Sequence, residues 1–158
     1  MECLNGRFLT HAFPMHFHNA YCVPLIENGV MGSFYRRAHQ RLGEGEFDLL
    51  NPGEPHSGYP VSDEGSRYRC FYLDEALVET MIERTSRSVP GGNTKNVRAN
   101  RYVYESLSRA HLLLETGEEG LEPQTLIALS LTELCSSSYN LPSRTCRRET
   151  SKSNRVKS

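Results

Sequence analysis

The chain has 158 residues, 37% hydrophobic and 23% charged with no tryptophan, enough for one domain that buries roughly 70% of its unfolded surface. No apolar run approaches the ~18 residues of a membrane span, and Glu2 stands where a secretory signal carries bases, so a soluble, cytoplasmic chain with no membrane partner is expected. The net charge of -1 is uneven: residues 144–158 hold six Lys or Arg against the single acid Glu149, which leaves 12 bases against 18 acids in residues 1–143 and argues against the body gripping a phosphate backbone.

From the N-terminus to Leu73, turn signals separate short apolar, β-branched and aromatic runs, which predicts consecutive antiparallel strands. Asn28-Gly29, between Tyr21–Ile26 and Met31–Tyr35, predicts a two-residue type I′ hairpin. That register would pair Cys22 with Tyr35 and Ala20 with Arg37. Gly43-Glu44-Gly45 precedes a strand at Phe47-Asp48-Leu49-Leu50, and Asn51-Pro52-Gly53-Glu54 reads as a turn. The run Arg67 to Leu73 closes the β section. Its two alternating sets, Tyr68/Cys70/Tyr72 and Arg69/Phe71, face opposite ways, and parity does not say which set points inward.

From Asp74 the apolar period becomes 3.6: Leu77, Val78, Met81 and Ile82 mark a short helix capped by Asp74 and ended by Pro90-Gly91-Gly92-Asn93. Val103, Leu107, Ala110 and Leu114 mark a longer helix stopped at Gly117. Ile127, Leu131 and Leu134 mark a third, with Pro123 in its first turn and Pro142 beyond its end. This divides the chain into a β section at 1–73, a helical segment at 74–141 and a basic linker at 142–158. Five cysteines, Cys3, Cys22, Cys70, Cys135 and Cys146, form no CxxC pair, which suits a reducing compartment.

His16, His18 and Cys22 share parity, so on an extended strand they point to one side, and two turns can return His56 to them. Imidazole and thiolate are ligands that borderline-soft divalent metals prefer, and the four make a complete tetrahedral set for zinc. Hydrogen-bonding histidines in a polar pocket are the alternative. Glu54, Tyr35, Tyr68, Tyr72 and Arg37 are candidate pocket residues, the tyrosines offering ring and hydroxyl and Arg37 a bidentate grip on an anionic group.

Two phrases carry a family resemblance. His16-Phe17-His18, three residues, Cys22, six residues, Gly29 resembles the first cupin motif, and Gly45, seven residues, Gly53, two residues, His56 resembles the second. Together with Arg67-Tyr68-Arg69 before Phe71-Tyr72-Leu73, they resemble the ligand-binding domain of AraC-family transcription regulators. The resemblance implies a mainly β cupin barrel (double-stranded β-helix or jelly roll) of about eight strands followed by two or three α-helices. It further implies a small-molecule effector in the barrel and a homodimer through the helices, with Val103, Leu107, Ala110 and Leu114 as the pairing stripe. DNA would be read only by helix-turn-helix units after the linker, not by this domain, and no reaction is expected. A metal at His16, His18, Cys22 and His56 would be zinc first, then nickel, iron or manganese. The family's usual fourth ligand is Glu where this chain has Cys22, and Pro60 stands where many members have Asn. The rival readings are a metal-dependent cupin enzyme, a dioxygenase or isomerase with Glu54 or Tyr35 as its acid or base, and a stand-alone regulator that binds a partner protein.

Overall fold

The computed structural model describes residues 1–83, 100–118 and 120–136. The Pro90–Asn93 stop, Pro142 and the basic 142–158 segment lie outside them. The elements are β1 (Glu2–Phe8), β2 (Phe13–His16), β3 (Tyr21–Gly29), β4 (Met31–Tyr35), β5 (Ala38–Leu42), β6 (His56–Pro60), β7 (Ser66–Leu73), α1 (Glu75–Glu83), α2 (Arg101–Glu115) and α3 (Leu121–Ser136). The expected architecture, mainly β with C-terminal helices, is the one observed. The strands form two sheets, ordered β1-β7-β3 and β2-β6-β4-β5. Residues 46–50 extend the first sheet without forming a regular strand. They are held on β3 by Cys22 N to Leu50 O (3.0 Å), Leu50 N to Cys22 O (2.9 Å) and Asp48 N to Pro24 O (3.2 Å).

The hairpin expected at Asn28-Gly29 does not form. Only Gly29, at φ +78°, takes the positive φ that a type I′ turn needs at both centres. Asn28 is instead drawn into the ladder with β7, opposite Arg67, after a register shift beyond Ile26. The longer ladder pairs more backbone, and Gly29 then lets the chain cross to the other sheet. A Cβ there would stand 2.4 Å from the Gly65 carbonyl oxygen, so the crossing requires glycine. Cys22 accordingly faces Tyr72, and the expected pairs Cys22–Tyr35 and Ala20–Arg37 are corrected.

The two-residue hairpin turn lies one strand later. Arg36 and Arg37, at φ 50° and 64°, link Tyr35 to its partner Ala38. Arg36 is anchored there: its Nε donates to Glu54 Oε2 (2.7 Å) and its other amino group to Oε1 (2.9 Å), while its guanidinium lies 5.1 Å from the Tyr35 ring centre.

The first sheet separates two cores, because alternate residues of a strand face opposite ways. Its outer face, Val23, Leu25, Phe71 and Leu73, packs with Phe47 and Leu49 against Val78 of α1, Val103, Leu107 and Ala110 of α2, and Ile127, Leu131 and Leu134 of α3. Each fully buried Val, Leu, Ile or Phe among them contributes about 1.5–3 kcal/mol. Its inner face, Cys22, Ile26, Tyr68 and Cys70, packs with Tyr35, Leu42 and Leu50 inside the barrel. The parity question is thereby answered: Tyr68, Cys70 and Tyr72 point inward, and Arg69 and Phe71 point to the helices. Asn100 caps α2 by accepting from Val103 N (3.2 Å), and Gly117 follows its end at φ +82°. Among the described residues, no helix is long and apolar enough to cross a membrane.

Candidate metal and ligand site

Three imidazoles converge inside the barrel mouth. His16, the last residue of β2, sits directly opposite His56, the first of β6. His18 lies just past the end of β2, and its carbonyl accepts from Gly53 N (2.8 Å), so the Asn-Pro-Gly turn fixes the loop that carries it. One ring nitrogen from each histidine lies within 4.8 Å of the others. The ring centres are 4.5 Å apart for His16 and His56, 4.8 Å for His16 and His18, and 5.3 Å for His18 and His56.

Backbone carbonyls set the tautomers. His16 Nδ1 lies 2.7 Å from Pro14 O and His56 Nδ1 lies 3.0 Å from Glu54 O. A carbonyl only accepts, so each Nδ1 carries the proton and each Nε2 keeps its lone pair, the arrangement in which histidine ligates a metal. His16 Nε2 and His18 Nε2 are 3.1 Å apart, close to the ~3.3 Å that two nitrogens subtend at tetrahedral zinc. Burial lowers the pKa of His56, opposed by the Glu54 carbonyl and helped by its two neighbours. Burial and then His16 lower that of His18. Both shifts favour the neutral imidazole that a metal requires. The three residues therefore fit a divalent cation.

The cavity beside them has a volume of about 60 Å³, room for a few waters or a very small ligand. His16, His18, His56, Cys22, Tyr68 and Tyr72 all line it. The Tyr72 ring stands 4.9 Å from that of His18. Burial is the leading cause of the raised pKa values of both tyrosines, so they face the cavity as protonated hydroxyls.

Four expectations change. Cys22 lines the cavity but is not in the imidazole cluster; parity cannot join it to His16, since β2 and β3 belong to opposite sheets. Its sulfur is instead 3.3 Å from that of Cys70. Arg37 is exposed in the hairpin turn and is not part of the cavity wall. Tyr35 and Glu54 lie behind the wall. The Tyr35 hydroxyl donates to Glu54 Oε2 and accepts from Asn51 N (3.3 Å), a network that steadies the segment ending at His56. Burial would raise the Glu54 carboxyl, yet the hydrogen bonds from Arg36 and Tyr35 outweigh it and hold its pKa below the ordinary value. Finally, Val103, Leu107 and Ala110 are fully buried against the sheet and Leu114 packs on the same core, so this stripe is occupied within the chain.

Sequence reasoning did not single out Asp48 as a wall residue. It is buried and lines the cavity, with Oδ1 accepting from Leu49 N (2.9 Å). Its signal was parity with Leu50, which shares its inward side. The network around Arg69 was also missed. This buried guanidinium bonds Glu27 on β3 and Glu115 on α2 and donates to His111 Nδ1 (3.1 Å). The His111 Nε2–H donates to Leu4 O on β1 (3.1 Å).

Comparison with known proteins follows the same lines. The family described as AraC-like ligand binding domain matches residues 1–134. The uncharacterized HTH-type transcriptional regulator YbfI of Bacillus subtilis (strain 168) is 23% identical over 138 residues, 85% of this chain and 49% of the regulator. The chain thus spans about half the length of that curated relative. Similar solved structures include a Bacillus subtilis oxalate decarboxylase with Mn(II) centres, at 20% identity and a TM-score of 0.41 over 46% of this chain and 20% of that one. The conserved SPY1581 protein of unknown function from Streptococcus pyogenes matches at 14% identity and a TM-score of 0.39, over 46% of this chain and 75% of that one.

Proposed function

Because the chain belongs to the family of AraC-like ligand binding domains of transcription regulators, we propose that its barrel senses a small effector together with a divalent metal held by His16, His18 and His56. The observation that carries this is the tautomer locking of His16 and His56, whose Nδ1–H groups bond to backbone carbonyls and leave each Nε2 lone pair for the cluster beside the cavity that these residues line. The metal would polarise an oxygen of the effector, zinc being the first candidate from an all-imidazole set and nickel, iron or manganese the others. Tyr68 and Tyr72 supply hydroxyls to the same ligand. Glu54 and Tyr35, which an enzyme would need as acid or base, bond to each other behind the wall, and this favours a sensor over a dioxygenase or isomerase.

Effector occupancy reaches the helices through β7, whose Tyr68, Cys70 and Tyr72 face the cavity while Arg69 binds α2. A ligand switches a regulator only by its difference in affinity between two arrangements. Here these are arrangements of β7 and α2 that set how two copies pair and where DNA-reading units sit. Elemental analysis of protein purified without a metal-affinity tag tests the proposal. One equivalent of metal is expected in the wild type and a loss of roughly tenfold or more in affinity in His16→Ala and His56→Ala. Metal-free wild type that also fails to take up added zinc, manganese, iron or nickel would refute the metal reading.

A further inference from the structure

Cys22 and Cys70 stand on neighbouring strands with their sulfurs 3.3 Å apart. Both are free, buried and part of the cavity wall, and neither belongs to the imidazole cluster. In the β3–β7 register Cys22 faces Tyr72 and Pro24 faces Cys70, so the cysteines are diagonal neighbours on one sheet face. Diagonal neighbours lie about 7–8 Å apart, whereas disulfides span about 4.4–6.8 Å between Cα atoms. Closing the bond would pull together two strands whose other face is packed against the helices. The fold therefore presents a close pair of free thiols on one sheet face.

The separation selects among soft ligands. Tetrahedral zinc places two sulfurs about 3.8 Å apart, and a linear two-coordinate cation holds them farther apart still. A trivalent arsenic centre carries a lone pair that compresses its bond angles toward a right angle, which brings two sulfur ligands close together, as these are. We propose that Cys22 and Cys70 form a second site in this cavity, separate from the imidazole cluster, that captures a small trivalent metalloid hydroxide with arsenite as its type. Arsenite enters as the neutral trihydroxide, so no ion is desolvated in the apolar wall. Each S–H gives its proton to an arsenic hydroxyl that leaves as water. Two As–O bonds break, two As–S bonds form, one hydroxyl stays, and arsenic remains trivalent throughout. The exchange consumes thiols rather than thiolates, which suits Cys22, whose hydrogen bond with Cys70 and burial keep it protonated.

Native mass spectrometry of the full chain with added arsenite tests this. One arsenic per chain is expected, retained in the triple variant Cys3→Ala/Cys135→Ala/Cys146→Ala and in His56→Ala, and weakened roughly tenfold or more in Cys22→Ala or Cys70→Ala. Retention in His56→Ala separates this site from the imidazole reading. No adduct in the wild type, its survival in Cys22→Ala, or its loss in the triple variant would overturn the proposal. Should the single variants fail to fold, arsenic X-ray absorption on the triple variant decides: two sulfurs and one oxygen around arsenic support the site, and three oxygens refute it.

Discussion

At the residue scale, the three histidines were legible and the exclusion of Cys22 from their cluster was not. The His-x-His spacing and the Asn-Pro-Gly turn point His16, His18 and His56 at one another because they are tied by short local geometry: a cross-strand pair and one hydrogen bond from Gly53 to the His18 carbonyl. Cys22 follows a change of sheet, which alternation along a strand does not encode. The same distinction moves Arg37 from pocket to turn. At φ 64° this exposed residue pays the Cβ penalty of the left-handed region, about 1–2 kcal/mol, with no compensating anchor of the kind Arg36 has. Set against the roughly 0.5–1 kcal/mol of extra unfolded-state entropy that glycine brings, the relief should be about 1 kcal/mol, so Arg37→Gly should raise Tm by about 2–4 °C for a chain of this size, read by calorimetry, while Arg37→Ala leaves metal and effector affinity unchanged. Glu54→Gln should have the opposite effect. It removes the carboxylate that pairs with Arg36 and accepts from Tyr35, costing about 1–3 kcal/mol and loosening the segment that orients His56. Because the folded Glu54 pKa lies below its unfolded value, this contribution is present at neutral pH and is lost as pH falls below about 4.3 toward the folded value. A chemical-denaturation series in acid should show a shallower decline for Glu54→Gln than for the wild type.

At the scale of elements, β7 is the part of the molecule on which the proposed sensing rests, since one face lines the cavity and the other meets α2. Its alternation was readable from Arg67 to Leu73, but which face was wet required knowing what lies on each side. The buried Arg69 shows why a charge misleads here. Arginine on an outward face reads as solvated, yet Glu27, Glu115 and His111 surround it. Its carboxylate partners stay partly in water, at 23% and 42% exposure, so Arg69→Ala should be destabilised mainly by the lost packing and hydrogen bonds of the buried guanidinium, while Arg67→Ala, at an exposed position, changes little. His111 adds a pH dependence. Burial, then the Arg69 charge, lowers its pKa, so between the folded value and about 6.5 the native state binds fewer protons than the unfolded chain. Stability is full above about pH 6.5 and is lost as pH falls toward the folded value. His18 and His56 are shifted in the same direction. Tm should therefore drop between about pH 7.5 and about pH 5.5, with a smaller drop in His111→Gln.

At the scale of the whole molecule, the order of strands followed by helices was legible because it follows from periods: alternation up to Leu73, then 3.6 from Asp74. The passage from β3 to β4 was not, since it turns on one glycine that crosses to the other sheet rather than turning back. The helical stripe carries the same lesson in energetic form. Val103, Leu107 and Ala110 repeat as a dimer seam would, but a single chain with a half-buried sheet satisfies that stripe first, because intramolecular burial carries no association cost. Leu107→Ala should thus cost about 2–5 kcal/mol of folding stability and act on monomer and dimer alike. What α2 and α3 leave for a second copy are large apolar side chains still in water: Tyr102 and Leu121 near the helix starts, and Leu112 at 48% and Leu129 at 47% exposure farther along. If the sensing domain pairs through its helices, Leu112→Glu and Leu129→Glu should leave stability within about 0.5 kcal/mol while shifting the sedimentation coefficient from dimer to monomer. A wild type that sediments as a dimer and charged variants that still do so would place the pairing surface away from these two leucines. Unfolding of Leu112→Glu along with loss of the dimer would instead show that folding and association are one equilibrium.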